Sequence, residues 1–284
     1  MKLVTWNIQW GLGCDGSVDL RRIRDTVLGM ADVDVACLQE VANNFSGLHG
    51  TDGGNQSQEI ARLFKGYTAI DGIATEMIIE GQLHQFGNMI LSRMPVLAVF
   101  RHLLPRPADP GNKSMQRMAL EVIVESHLGP LRIITVHLES YSEKQRLAQA
   151  RRVRELYAEA CARALTDEPV DTSLTPFRTA PPALSTIIAG DFNSRPSDAV
   201  HVIMSSPFGD GVPNLLDAWK FRYPDTPHPP TFGLAGADSN RFPDAPLCFD
   251  YLYATRDIAR SILEIRVNSD TRASDHQPLL LATP

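Results

Sequence analysis

The chain alternates between short apolar runs and polar breaks rich in Gly, Pro, Asn and Asp. "KLVTWNI", "VDVACLQEV", "YTAIDGIA", "NMILSR", "VLAVFRHLL", "LRIITVHL", "LSTIIAG", "LCFDYLYA", "SILEIRVN" and "PLLLA" have the length and Val/Ile/Leu content of strands. In "RMALEVIVES", Met118, Leu120, Val122 and Val124 share one face, the two-residue period of a half-buried strand. The turn "HLGP" joins that run to "LRIITVHL" as an antiparallel hairpin. Helical spacing governs other stretches. Leu20, Ile23, Val27 and Met30 predict a helix that starts from Ser17, with the serine hydroxyl as its cap. Leu147, Ala150, Val153, Tyr157 and Ala160 form the inner stripe of a long helix over Ser142 to Leu165, opposite Arg151, Arg152 and Glu159. "SQEIARLF" and Asp198 to Met204 read as shorter helices.

Residues 166–183 change to Thr, Pro and Asp and read as a surface insertion, because strand-like segments resume immediately after it. Residues 1–284 are therefore expected to form one domain. So many strands, joined by hairpins and helical crossovers, predict an α/β fold with two packed mixed sheets, largely antiparallel and flanked by helices.

Composition narrows the function. Of 284 residues, 43% are hydrophobic and 21% charged, as in ordinary globular domains. The net charge of −6 has the wrong sign for a protein that grips nucleic acid by charge alone. Cys14, Cys37, Cys161 and Cys248 are scattered, with no CxxC pair, which argues against a zinc site. No apolar segment is long enough to span a bilayer, and "MKLVTWNIQW" lacks the apolar core of a signal peptide. A cytoplasmic protein without a membrane partner is expected.

The apolar runs share one further property. "LVTWN" ends on Asn7, "VACLQE" on Glu40, "RIITVH" on His137, and "STIIAGDFN" on Asp191 and Asn193. "LCFD" carries Asp250, and Asp275 and His276 stand just before the final run. Acids and amides fit a pleated, half-buried surface poorly, and burying one without a partner costs about 1–3 kcal/mol. Six runs with a polar group at one end point to a common rim facing one cavity. The residue types suit phosphoryl chemistry. Glu40, Asp275 and the Asn7 carbonyl can bind Mg²⁺, which takes oxygen ligands. Asp191 can accept a proton from water, and Asn193, His137 and His276 can donate to developing negative charge. Asp250 can hold the second nitrogen of His276 and favour its charged form.

"TWNIQ", "LQEV", "GNMILSR", "TVHLES", "GDFNS", "FDYLY" and "SDHQPL", in this order from first strand to last, resemble the motif series of the endonuclease/exonuclease/phosphatase (DNase I-like) superfamily. The resemblance implies a four-layer α/β sandwich and divalent-metal hydrolysis of phosphoesters, with Mg²⁺ as cofactor and Mn²⁺ able to substitute. Glu40 and Asn7 resemble the family's metal-site residues, with Asp275 the neighbouring acid. Asp191 and Asn193 resemble the pair that orients water and contacts phosphate, and Asp250 and His276 the Asp–His pair. His137 matches branches with a histidine after the central strand. By the same resemblance Asn88 lies near the substrate and Arg117 meets a phosphate. Gln9 stands where some branches carry an acid, which implies a single principal metal site.

Other charges have plainer readings. His49, His84, His102, His127, His201 and His228 fall in loops or at element ends and are expected to be solvated. Arg21, Arg22, Arg24, Arg151, Arg152 and Arg154 are expected on solvated helix faces beside acids. Arg106, Lys113 and Arg117 lie around a Pro/Gly loop, as a substrate loop or a plain surface loop would. The expected activity is that of a phosphodiesterase or nuclease, with nucleic acid among the candidate substrates. A lipid phosphodiesterase and a phosphomonoesterase stand behind it, and a non-catalytic binding module is disfavoured because every motif position is filled.

Overall fold

The computed structural model describes residues 1–166, 170–209, 211–236 and 241–284. Two six-stranded sheets pack face to face, with helices covering both outer faces. The first sheet runs, in spatial order, β11 (Glu264–Val267), β12 (Leu279–Ala282), β1 (Lys2–Asn7), β2 (Val35–Asn43), β4 (Gln82–Ser92) and β3 (Thr68–Ile79). The second runs β5 (Val96–Leu103), β6 (Met118–Ser126), β7 (Gly129–His137), β8 (Thr186–Asp191), β10 (Asp250–Thr255) and β9 (Leu215–Asp217). Most neighbours are antiparallel. The exceptions are β1 with β2 and β7 with β8, whose crossovers contain α1 (Leu20–Met30) and α3 (Glu143–Leu165). The remaining α-helices among the described residues are α2 (Gln56–Leu63), α4 (Ala199–Ser205), α5 (Ala218–Arg222) and α6 (Arg256–Arg260), with a short 3-10 helix at Gln9–Gly11.

Central strands are apolar on both faces because each face meets another layer. Leu3, Val35, Cys37, Leu131, Ile133, Ile187 and Ala189 fill the space between the sheets. Val4, Trp6 and Leu38 point the other way, onto Ile23 and Val27 of α1. Ile134 and Val136 do the same beneath Val153 and Tyr157 of α3. Truncating a leucine or isoleucine in such a core costs about 2–5 kcal/mol. Following the inward positions along a strand shows how the site arises. They read Leu3, Thr5, Asn7 on β1; Ile133, Thr135, His137 on β7; and Ile187, Ala189, Asp191 on β8. The core is dry in the middle and becomes polar where these strands leave it. Both parallel pairs finish at the same rim, since Asn7 of one sheet touches Asp191 of the other.

Several local expectations need correction. Asp19, not Ser17, caps α1: its carboxylate accepts the Arg21 and Arg22 N–H groups at 2.8 and 3.1 Å. Val18 bridges to Leu12, which keeps the chain extended one residue too long for Ser17 to serve. Ser142 does cap α3, accepting the Gln145 N–H at 3.2 Å. The buried face of α3 also carries Gln145 and Gln149, whose amides donate to the carbonyls of Pro107 and Pro105 and so pin the 104–117 loop. β9, α5 and α6 escaped the sequence reading because three to five residues are too few to show a period.

The histidines differ most from expectation. His84 is buried within β4, and His102 pairs with Glu121 at 2.9 Å. His228 and His201 converge on Asp217 Oδ2 at 2.7 and 3.4 Å. Only His49 and His127 of that group are exposed. Arg154 is not a solvated cation either, since it donates to the Met204 and Ser206 carbonyls at the end of α4. Of the expected insertion, residues 167–169 lie outside the described residues. Residues 170–183 contain no helix or strand, with Leu174 97% and Phe177 82% exposed. Among the described residues, no helix is long and apolar enough to cross a membrane.

Candidate active site

Strand register assembles half of the site directly. His137 is level with Asp191 across the parallel β7–β8 pair, and Asp250 is level with Asp191 across the antiparallel β8–β10 pair. Three polar residues from distant sequence positions thus stand in one row. Gly190 permits the close approach of β7 and β8, because a Cβ there would lie 2.0 Å from the Val136 carbonyl oxygen. The opposite sheet contributes Asn7 and Glu40. Strict alternation would turn Glu40 away from the face that Gln39 occupies. Instead a bulge between Gln39 and Val41, with Glu40 at φ 62°, lets both point between the sheets. A left-handed conformation is costly for a non-glycine residue, so the surrounding sheet must hold it.

The result is a cavity of about 570 Å³ lined by Asn7, Glu40, His137, Asp191, Asn193, Asp275 and His276, with Phe232 and Phe249 beside them. Asp191 is its centre. Its Oδ2 accepts the Asn7 amide at 3.0 Å and lies 3.4 Å from His137 Nε2 and 3.7 Å from His276 Nε2. Its Oδ1 accepts the Asn193 backbone N–H at 2.8 Å. Asn193 adopts φ 48°, a left-handed conformation that asparagine tolerates, and its side-chain amide donates to the Leu138 carbonyl. The Asn7 amide also donates to Glu40 Oε1 at 3.1 Å. Its oxygen accepts the Gln9 N–H at 3.0 Å, so as oriented Asn7 braces carboxylates rather than offering its side-chain oxygen to a metal.

Asp250 stands behind the cavity. Its Oδ2 is 2.8 Å from His276 Nδ1 and accepts the Thr231 hydroxyl at 2.7 Å. Thr231 in turn accepts the N–H groups of Phe249 and Asp250, so the carboxylate cannot turn away. Ser274 donates to the Asn7 carbonyl and accepts the His276 N–H, and the Trp6 indole donates to the His276 carbonyl. Ser274 lies in the quoted "SDHQPL" without having been singled out, and Thr231 lies in a loop outside every quoted motif.

The electrostatics divide the cavity. Burial alone would depress the His276 pKa, but the charges of Asp250 and Asp191 and the Asp250 hydrogen bond outweigh it and push it up to about 10. Burial lowers His137 well below the usual range, helped by the charges of Arg117 and His276, so its ring is neutral at pH 7. Burial pushes Asp191 up to about 6 despite His276. Burial and the Asp275 charge push Glu40 up to about 7, and burial raises Asp275 as well. Among the described residues, neither Glu40 nor Asp275 has a Lys or Arg within ion-pair distance.

Ligand-type atoms of Asp191, Asp250 and His276 also lie within 4.8 Å of one another. They are engaged with each other, however, and Asp250 Oδ2 already receives two groups. The open acids are Glu40 and Asp275.

Two expected residues stand apart from this cavity. Asn88 is buried on β4 and donates to the Met118 carbonyl at 3.3 Å. Arg117 is 4% exposed, and its Nε donates to Glu139 Oε2 at 3.3 Å. Glu139, fully buried, also accepts the N–H groups of Ser140 and Tyr141. It sits in the quoted "TVHLES", so the motif pointed to it while its partner did not. Arg117 does reach the wall of a second, adjoining cavity.

Two mixed sheets packed between helices, with acids, amides and imidazoles gathered at one rim, define the DNase I-like class of α/β sandwich. The chain belongs to the Endonuclease/Exonuclease/phosphatase family, which it matches over residues 4–276. No curated protein sequence matches it. Among solved structures, it resembles an endonuclease/exonuclease/phosphatase from Beutenbergia cavernae at 23% identity and TM-score 0.68, covering 99% of this chain and 70% of that one. D. rerio TDP2 complexed with single strand DNA product is similar at 19% identity and TM-score 0.62, covering 99% and 97%. The Bacteroides thetaiotaomicron mannosyl-6-phosphatase Bt3783 is similar at 14% identity and TM-score 0.64, covering 100% and 99%. These likenesses carry the fold.

Proposed function

We propose that the chain is a divalent-metal-dependent phosphodiesterase that directs water onto a phosphodiester held locally around the scissile phosphate. The observation that carries this reading is Asp191: a buried carboxylate between two imidazoles and an amide, open to a cavity whose other wall holds two acids with no Lys or Arg in ion-pair distance among the described residues. Glu40 and Asp275 fit a hard divalent cation such as Mg²⁺ or Mn²⁺, since both are oxygen donors whose ionised forms burial disfavours more than their neighbours offset. When bound, such an ion neutralises charge on phosphate oxygens and polarises phosphorus. Asp191, with a pKa near 6, is suited to accept a proton from water close to neutral pH. His276, held charged by Asp250, presents its Nε2 N–H to a phosphate oxygen. Asn7 and Asn193 keep the Asp191 carboxylate in its orientation.

A diester is favoured over a monoester because the cavity opens sideways into a second one, leaving room for groups on both sides of phosphorus. The test is a substrate panel with Mg²⁺: bis-p-nitrophenyl phosphate, p-nitrophenyl phosphate, single- and double-stranded oligonucleotides, and sphingomyelin. Diester cleavage that stops in chelator and returns with Mg²⁺ or Mn²⁺ is expected. Full activity in excess chelator, or turnover of the monoester alone, would refute the proposal.

A further inference from the structure

The second cavity, of about 540 Å³, shares Gln9, Glu40, Tyr141, Arg241 and Asp275 with the catalytic one. Its chemistry differs. One wall is formed by Trp10, Phe45, Met77 and Phe86. Phe45 meets Phe86 edge-on at 6.5 Å and tilts against His84 at 5.1 Å, so the aromatic surface is braced before any ligand arrives. Two further lining residues, Arg241 and Lys113, bring cations to Tyr141. Arg241 Cζ lies 3.7 Å from the centre of the Tyr141 ring, and Lys113 Nζ lies 4.3 Å from the same ring. Arg241 is further fixed by donating to the Ser140 carbonyl at 3.1 Å. Neither cation is ion-paired with an acid among the described residues. Arg117, the cation that the motif pattern singled out, is neutralised by Glu139.

We propose that this cavity is a subsite for one nucleotide unit adjoining the scissile phosphate, with its base against Phe45, Phe86 and Trp10 and its next phosphate met by Arg241 and Lys113. Tyr141 positions both cations. The inference rests on the phosphodiesterase reading and narrows its substrate to a short single strand, because a duplex keeps its base faces stacked and out of reach. A lipid tail would use the aromatic wall but leave the two cations unanswered. A sugar phosphate would do the reverse.

Three p-nitrophenyl phosphodiesters test this with one common leaving group: the methyl ester, the thymidine 5′-ester and the 5′-ester of the dinucleotide pTpT. In the wild type, kcat/KM should rise about tenfold from the methyl to the thymidine ester, as base stacking predicts, and rise again for the dinucleotide. Phe45→Ala should reduce the thymidine-to-methyl ratio about tenfold. Arg241→Gln combined with Lys113→Gln should reduce the dinucleotide-to-thymidine ratio, and added salt should act in the same direction. Circular dichroism checks that each variant is folded. A wild-type ratio near one, ratios unchanged in the variants, or a preference for p-nitrophenyl phosphocholine would overturn the subsite. Failure to cleave any ester with Mg²⁺ would instead remove the phosphodiesterase reading. Calorimetric titration of pTpT would then decide the subsite separately: weaker binding to the double variant supports it, and equal or undetectable binding to both proteins overturns it.

Discussion

The two walls of the candidate active-site cavity differ in how their charges are held. On the His276 wall the groups are paired in series: Asp250 Oδ2 holds the imidazole, Thr231 holds Asp250, and the backbone holds Thr231, while Asp250 Oδ1 is buried without a hydrogen-bond partner among the described residues. On the Glu40 wall stand two acids: Glu40 has the Asn7 amide at 3.1 Å and the His137 ring at 3.8 Å, Asp275 has the Ser274 hydroxyl at 3.3 Å, and neither has a Lys or Arg partner among the described residues. The first wall is preorganised, as the proposed chemistry requires, because its dipoles need not reorient when charge develops. The second is a frustrated arrangement, two acids whose charged forms burial penalises. One cavity therefore contains a finished half and a frustrated half.

The largest effect should come from breaking the finished half at its centre. Asp191→Asn or His276→Ala should each lower kcat/KM by about 10²–10⁴ with the fold intact, measured on bis-p-nitrophenyl phosphate. Normal turnover in either variant would remove that residue from the chemistry. Asp250→Asn should act by releasing His276. Combined with His276→Ala, it should lose less than the sum of the separate losses in activation free energy, whereas strict additivity would show that the two do not work as a unit.

The frustrated half predicts the contrary behaviour for stability. In metal-free protein the Glu40 pKa stands at about 7, above its ordinary value of 4.5. The folded state therefore binds more protons than the unfolded state between these values, and Glu40 makes stability fall as pH rises through that window. Glu40→Gln should flatten this loss in urea titrations at pH 5 and pH 8 in chelator, while raising the Mg²⁺ concentration needed for turnover. Identical pH dependence in wild type and variant would mean that the acid is not frustrated.

The smallest effect concerns the wider surface. With Arg117 neutralised by Glu139, and Arg241 and Lys113 without an acidic partner among the described residues, the protein should contact about two or three phosphates. Log affinity of the Asp191→Asn variant for single strands should then fall against log salt with a slope of about −2. A slope near that of eight contacts would reveal an extended groove.

How much was legible beforehand can be judged residue by residue. Asn7, Glu40, His137, Asp191, Asn193, Asp275 and His276 were each marked by a polar group at the end of an apolar run, and all line one cavity. Asp250 was marked the same way and stands directly behind it. Arg117 and Asn88 were also in recurrent motifs, yet one is tied to Glu139 and the other to the Met118 carbonyl. His201 and His228, dismissed as solvated, close on Asp217 through a contact that joins residues on different elements.

The sequence by itself determined the strands, the crossover helices and the polar residues at the rim. Those features follow from alternation and spacing along a few neighbouring residues, and burial of the apolar face enforces them whatever lies elsewhere in the chain. The tertiary structure alone decided which charges cancel and which remain free. Arg117 finds Glu139 after 22 residues, Arg241 reaches Tyr141 across 100, and Thr231 locks Asp250 from a loop with no period at all. Coulomb and hydrogen-bond energies depend on separation in space, and for loop residues that separation is set only when the two sheets close on each other.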